Sequence, residues 1–130
     1  GGALGTDMIA GLAATRLKQA GYPIEMEMAE PFKNQGDRWS DLAKKQLSYL
    51  EDSSDTVTNV SSLFSPTNMY NMYKNRNEYM VDNADELWAF MNPAMSTGRM
   101  NGTEGTIKYA QDNHKAIKDL FVETMKALGK

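Results

Sequence analysis

Apolar residues in this chain change their spacing several times, and each change marks a new element. After an opening rich in glycine, Met8, Ile9, Leu12, Ala13, Leu17 and Ala20 recur at the spacing of one helical face. That spacing predicts a first helix, with Thr6 or Asp7 as its cap and Gly21, followed shortly by Pro23, as its end. "IEMEMAE" at 24–30 then alternates apolar and acidic residues with the period of a strand. A strand buried on both faces reads as continuously apolar, so this one is expected near a sheet edge or with one face exposed. Trp39, Leu42, Ala43, Leu47 and Leu50 return to helical spacing, with Arg38 and Trp39 opening the helix. "DTVTNVS" at 55–61 reads as a second strand, and 67–83 as a third helix carrying Met69, Met72, Tyr73 and Met80 on one side. "ELWAFM" at 86–91 is nearly all apolar, which suits a central parallel strand. The polar loop "NPAMSTGRMNG" follows, and a helix starts near Thr103. Ile117, Leu120, Phe121, Thr124, Met125 and Leu128 predict a terminal helix over about 114–128, with a short strand at 117–122 as the alternative.

Strands that alternate with helices of several turns indicate crossover units and a parallel sheet with helices on both faces. The expected fold is therefore α/β, a Rossmann-like parallel sheet flanked by helices. At 130 residues it forms a single domain. Ligands of such sheets bind beyond the carboxyl ends of the strands, where the loops entering the helices cluster.

Composition narrows the function classes. The charge balance of 14 Lys+Arg against 17 Asp+Glu, a net −3, argues against a bulk electrostatic grip on nucleic acid. No cysteine is present, which removes disulfides, thiolate nucleophiles and zinc-thiolate sites and fits an intracellular, cytoplasmic protein. No apolar run reaches the roughly 18 residues that cross a bilayer, so no membrane partner is expected. His114 is the single histidine, expected in solvent near a helix end, and it excludes a multi-histidine metal site and leaves a Ser-His-Asp triad without context. The ten methionines read as adaptable core filler. "YNMYKNRNEY" interleaves tyrosines with Lys74 and Arg76, but on a helix those rings spread over several faces and make a poor base-stacking platform.

Two loops carry candidate chemistry. Gly1, Gly2 and Gly5 precede a helix whose first N–H groups are unpaired, and glycines let that backbone approach a phosphate or carboxylate closely. "NGTEGT" at 101–106 is a second such turn opening a helix. Converging at one end of a sheet, the two would form one pocket.

"GGALGTD", "PFKNQGDRW" at 31–39, "RNEYMVDNAD" at 76–85 and "NGTEGTIKYA" at 101–110 stand in the order seen in YpsA-like proteins. Over residues 1 to about 110 the chain resembles that branch of the SLOG superfamily, which also holds DprA and the LOG enzymes. The resemblance implies a Rossmann-like fold and recognition of a nucleotide or nucleotide-derived small molecule, with no cofactor. Family members begin with a strand, a helix and a second strand leading into the glycine turn. The chain has no initiator Met and opens on the turn itself. The expectation is a domain lacking those elements, which pairs either with an N-terminal segment or with a second copy through an open sheet edge and the Met69, Met72 and Tyr73 surface.

The LOG phosphoribohydrolases resemble "PGGxGTxxE" at the second loop. Aligned there, Asn101 stands at the Pro, Thr103 at a Gly and Tyr109 at the catalytic Glu. Arg76 matches the LOG arginine with Met80 four residues on, while Asn77 replaces its Lys. A tyrosine titrating near 10 does not replace a carboxylate at neutral pH. Glu104, in the same loop, remains with Arg76 as the catalytic pair if the chain is an enzyme. The candidate ligand contacts are Gly2, Gly5, Thr6, Asp7, Arg38, Arg76, Asn77, Asp82, Gly102, Thr103, Glu104 and Thr106. Asp7 reads first as a helix cap, whereas Arg38 reads equally as half of a solvated ion pair and Asp82 as a structural hydrogen-bond acceptor. The leading reading is nucleotide binding. A nucleoside-monophosphate hydrolase is the alternative, and a DprA-like nucleic-acid or protein-interaction module is a further one that the net charge disfavours.

Overall fold

A computed structural model describes residues 5–65, 68–95 and 101–130. In chain order these form α1 (Thr6–Gln19), β1 (Glu27–Glu30), α2 (Asp41–Ser53), β2 (Thr56–Asn59), α3 (Met69–Asp82), β3 (Glu86–Ala89), α4 (Gly102–Asp112), β4 (Ala116–Asp119) and α5 (Leu120–Ala127). Short 3-10 turns occupy Val60–Leu63 and Pro93–Met95. The chain divides into two compact units, Gly1–Arg76 and Asn77–Lys130, with the boundary inside α3. The α/β order holds, and each unit contains one strand, crossover helix and parallel strand. β1 pairs with β2 from Glu27 opposite Thr56 to Glu30 opposite Asn59. β3 pairs with β4 from Glu86 opposite Ala116 to Ala89 opposite Asp119. Parallel neighbours need a long connection, and α2 and α4 supply it.

In the first unit, Met8, Met26, Met28, Leu47 and Leu50 make the core, with Leu12, Ala14 and Trp39 packed on it. Three methionines thus act as core filler, as expected. The buried face of α1 differs from the expected one. Met8 and Thr15 are buried, whereas Ile9 is 70% exposed and Leu17 is also exposed. Gly11 is the reason, because a Cβ there would stand 2.9 Å from Cδ1 of Leu50, so α1 approaches α2 closely along its glycine side. Thr15 can join that face because its hydroxyl donates to the Gly11 carbonyl at 2.9 Å. Neither Thr6 nor Asp7 caps the helix. The cap is Gly5 at φ 89°, with no side-chain bond, and Asp7 sits in the first turn where its charge suits the dipole. At the other end Gly21 takes φ 94°, its N–H donating to Lys18 while that of Tyr22 donates to Leu17.

α2 starts one residue beyond Ser40, whose hydroxyl accepts from the Ala43 N–H at 3.2 Å, so Trp39 packs on the core from the preceding loop. Leu42, expected on the inner face, is exposed. Asp55 ties three elements together. Its carboxylate accepts from Lys18 of α1 at 2.7 Å and from the Met26 N–H at 2.8 Å, just before β1. The Lys18 hydrogen bond, with Met26 next, holds the Asp55 carboxyl below its ordinary range.

Of the two expectations for β1, the half-exposed face fails, because Met28, Ala29 and Glu30 are all buried. An edge position agrees with β2 as its single neighbour among the described residues. The acidic residue follows Met28 onto the α2 side, where its carboxyl meets that of Glu51. Burial first, then the hydrogen bond and charge of Glu51, raise the Glu30 pKa from 4.5 to about 8. The strand tolerates the acid because it is held neutral.

In the second unit, α4 is capped by Asn101, which accepts from the Glu104 N–H at 2.8 Å, and ends at His114 in the left-handed region at φ 57°. His114 is exposed, as expected. The terminal helix over 114–128 is corrected, because 116–119 form β4 and α5 begins only at Leu120. Asp119 sets that boundary by accepting from the Val122 N–H at 3.0 Å. β3 also departs from expectation, since Trp88 is 62% exposed and, among the described residues, β4 is the strand's single neighbour. Trp88 is covered instead by its register partner Lys118, whose Nζ lies 4.8 Å from the ring centroid. Phe90 meets Phe121 of α5 edge to face at 5.7 Å.

Leu50→Ala is expected to destabilise the fold by about 2–5 kcal/mol, read from urea unfolding, since it empties the space between two closely approaching helices. Glu30 gives a pH signature. Its pKa is raised in the folded state, so its contribution is fully present below the unfolded value and is lost as pH rises through about 8. Stability measured by urea from about pH 5 to about pH 9 should shift progressively in favour of Glu30→Gln over wild type. Parallel pH curves for the two proteins would show that Glu30 keeps an ordinary pKa.

Candidate functional site

The first unit gathers pieces of three sequence segments. Arg76 on α3 is only 4% exposed. Its guanidinium carbon lies 5.9 Å from the ring centroid of Tyr73, one turn earlier. Tyr73 in turn meets Phe32 edge to face at 5.7 Å. Phe32 belongs to the loop that leaves β1, so this aromatic pair docks the 31–39 loop on α3. Burial lowers the Arg76 pKa, and the nearby charge of Asp7, with a smaller effect of Tyr73, opposes that shift. Arginine has so high an intrinsic pKa that it stays charged regardless. Asp7 sits in the first turn of α1, directly after the glycine turn. A buried guanidinium is thereby placed within electrostatic reach of a helix N-terminus, a combination suited to binding an anion.

The same loop holds Gln35, which is buried, beside Gly36. A Cβ on Gly36 would stand 2.8 Å from Cδ2 of Leu47, so glycine allows the loop to close against α2. Asn34 takes φ 64° at the start of this turn, and its carbonyl accepts from the Asp37 N–H at 3.2 Å. Arg38, a candidate contact, is exposed and is not gathered with Arg76. Glu30 and Gln35 are buried polar residues that pattern reading did not place among the candidate contacts. The one available signal was an acid closing a run whose alternate positions are apolar.

In the second unit, Asn77 lies near the start of α4, since a Cβ on Gly102 would stand 3.9 Å from its Nδ2. Thr103 is exposed, and the Thr106 hydroxyl donates to the Gly102 carbonyl at 2.7 Å. Asp82 accepts a hydrogen bond from the Tyr109 hydroxyl at 2.7 Å, which is the structural role weighed for it. That bond, followed by burial and the charges of Asp82 and Glu78, pushes the Tyr109 pKa up to about 12. The phenol at the LOG glutamate position is therefore a neutral donor. Gly5, Thr6, Asp7 and Arg76 thus belong to the first unit, and Asn77, Asp82, Gly102, Thr103, Glu104 and Thr106 to the second. Gly2 lies outside the described residues. Among the described residues no group of three His, Cys, Asp or Glu side chains is placed to hold a metal, and no helix is long and apolar enough to cross a membrane.

Comparison with known proteins agrees with this architecture. The model of the YpsA family, described as the "YspA SLOG family", matches residues 1–125. The chain is also 31% identical over 126 residues to the uncharacterized SPbeta prophage-derived protein YoqJ of Bacillus subtilis (strain 168). That match covers 88% of this chain and 68% of YoqJ. With the family match spanning nearly the whole chain and the parallel α/β order in each unit, this protein belongs to the YpsA-type SLOG family.

Proposed function

We propose that this chain binds a nucleotide or nucleotide-derived small molecule, with its phosphate at the head of α1. One observation carries the reading: Arg76, almost wholly buried, lies within electrostatic reach of Asp7 in the first turn of the helix that follows the glycine turn. Burying a guanidinium is costly, and a domain retains one where its fixed fork of donors has work to do. Membership of a SLOG family supports a nucleotide-related module. Backbone N–H groups at the start of α1 would take phosphate oxygens, and Arg76 would add a two-pronged contact. Asp7 is positioned to orient the guanidinium through its charge.

Binding is favoured over LOG-type hydrolysis by the state of Tyr109. A phenol titrating near 12 and committed to Asp82 does not supply the carboxylate such chemistry uses.

Titration calorimetry against nucleoside mono- and diphosphates tests the binding reading. Arg76→Ala should weaken the best binder by about 10- to 100-fold, and Arg76→Lys should restore part of it, with folding checked by circular dichroism. Unchanged affinity in a folded Arg76→Ala protein would remove this residue from the site. Incubation with nucleoside monophosphates should release no free base by chromatography. Release that disappears in Glu104→Gln would establish the hydrolase instead.

A further inference from the structure

Two polar atoms of the first unit are buried without a hydrogen-bond partner among the described residues: Oε1 of Glu30 and Nε2 of Gln35. Both residues are more than nine-tenths buried, at 5% and 7% exposure. An orphaned buried polar atom costs about 1–3 kcal/mol, and native proteins carry few of them. Two within six residues of sequence call for a common explanation.

They occupy one region. Glu30 closes β1 and meets Glu51 of α2. Gly36, next to Gln35, lies against Leu47, which is one turn before Glu51 on the same face of α2. Both residues therefore lie at the carboxyl end of β1, the end at which open parallel sheets bind their ligands. Phe32, between them in sequence, leads to Tyr73 and so to Arg76.

Their chemistry is specific. Nε2 of Gln35 is a donor that needs an acceptor. Burial and the hydrogen bond with Glu51 favour the neutral Glu30 carboxyl, and with its proton directed to Glu51 the orphaned Oε1 is left as an acceptor. With the Glu30 proton committed to Glu51, an unprotonated phosphate oxygen would satisfy the amide alone. A carbonyl likewise answers only Gln35. A hydroxyl answers both, because its oxygen accepts while its hydrogen is donated.

We propose that Glu30 and Gln35 form a sugar-hydroxyl subsite, Gln35 Nε2 donating to a ribose oxygen whose hydrogen goes to Glu30 Oε1. This rests on the nucleotide reading above and assigns the sugar to the β1 end while Arg76 takes the phosphate. A buried water has the same donor and acceptor capacity, so the test must separate the two.

The full chain, as wild type and as Gln35→Met, is titrated with the four common ribonucleoside 5′-diphosphates and their 2′,3′-dideoxy counterparts. Thermal melting of both proteins is recorded without ligand. Wild type should bind the best ribonucleotide about 10- to 100-fold more tightly than its dideoxy form. Gln35→Met should abolish that preference and leave the dideoxy affinity in place. Its ligand-free melting temperature should be equal or higher, because an apolar side chain of similar shape replaces an orphaned amide. Equal affinity of wild type for the ribo and dideoxy forms overturns the subsite while leaving nucleotide binding intact. A preference that survives in Gln35→Met overturns it too. So does a Gln35→Met protein that melts well below wild type or fails to fold, since that identifies a structural water as the partner. Absence of binding by every diphosphate here and by every monophosphate in the calorimetry above removes the nucleotide reading and this subsite with it.

Discussion

Leu50 occupies the space that a side chain at position 11 would need, and the first unit is arranged around that contact. Only glycine lets α1 come so near α2, and the closeness lets one leucine serve two helices and the strand beneath them. A second glycine repeats the device, since Gly36 lets the loop after β1 close on Leu47. Neither glycine adopts an unusual backbone angle; each is required by proximity. The consequence reaches the candidate site directly. Asp7 is carried on α1 and Gln35 on the closed loop, so both take their positions from how tightly these elements pack on α2.

Charge in this unit is handled in three ways, each set by how far the group is removed from water. Asp55 stays near solvent and is kept ionised by Lys18 and a backbone N–H, which joins α1 to the strand pair. Arg76 is buried but cannot surrender its proton, so it is accommodated by the charge of Asp7 and the face of Tyr73. Glu30 is buried and can change state, so it takes a proton alongside Glu51. An arginine that remains a cation and a glutamic acid made neutral thus stand within one unit.

The second unit repeats the strand, crossover helix and strand plan, with Val81 and Ala110 buried inside it. Its strands are half exposed, and its contacts are individual pairs such as Lys118 on Trp88 and Phe90 on Phe121. The phenol of Tyr109 donates to Asp82, joining α4 to the end of α3. Membership of the YpsA-type SLOG family carries the α/β fold into this chain.

Much of the architecture was legible in the order of apolar spacings, because alternation of period two and near four survives whatever the elements later pack against. That order gave the α/β class and the crossover helices, and the quoted motifs identified the family. Packing decided the rest. The inner face of α1 runs through Gly11 and Thr15, residues that an apolar count ignores, while Ile9 was left in solvent. The break between α4 and β4 is made by His114 in a conformation that glycine normally signals, and the helical spacing beyond it continued through a strand until Asp119 capped α5. Glu30 showed least of all. Alternation assigned its side chain to water, and only the approach of α2, bringing Glu51 against it, made it a buried neutral acid at the mouth of the strand pair. Local sequence fixes the period of each element, but the dielectric around a side chain is a property of its neighbours in space.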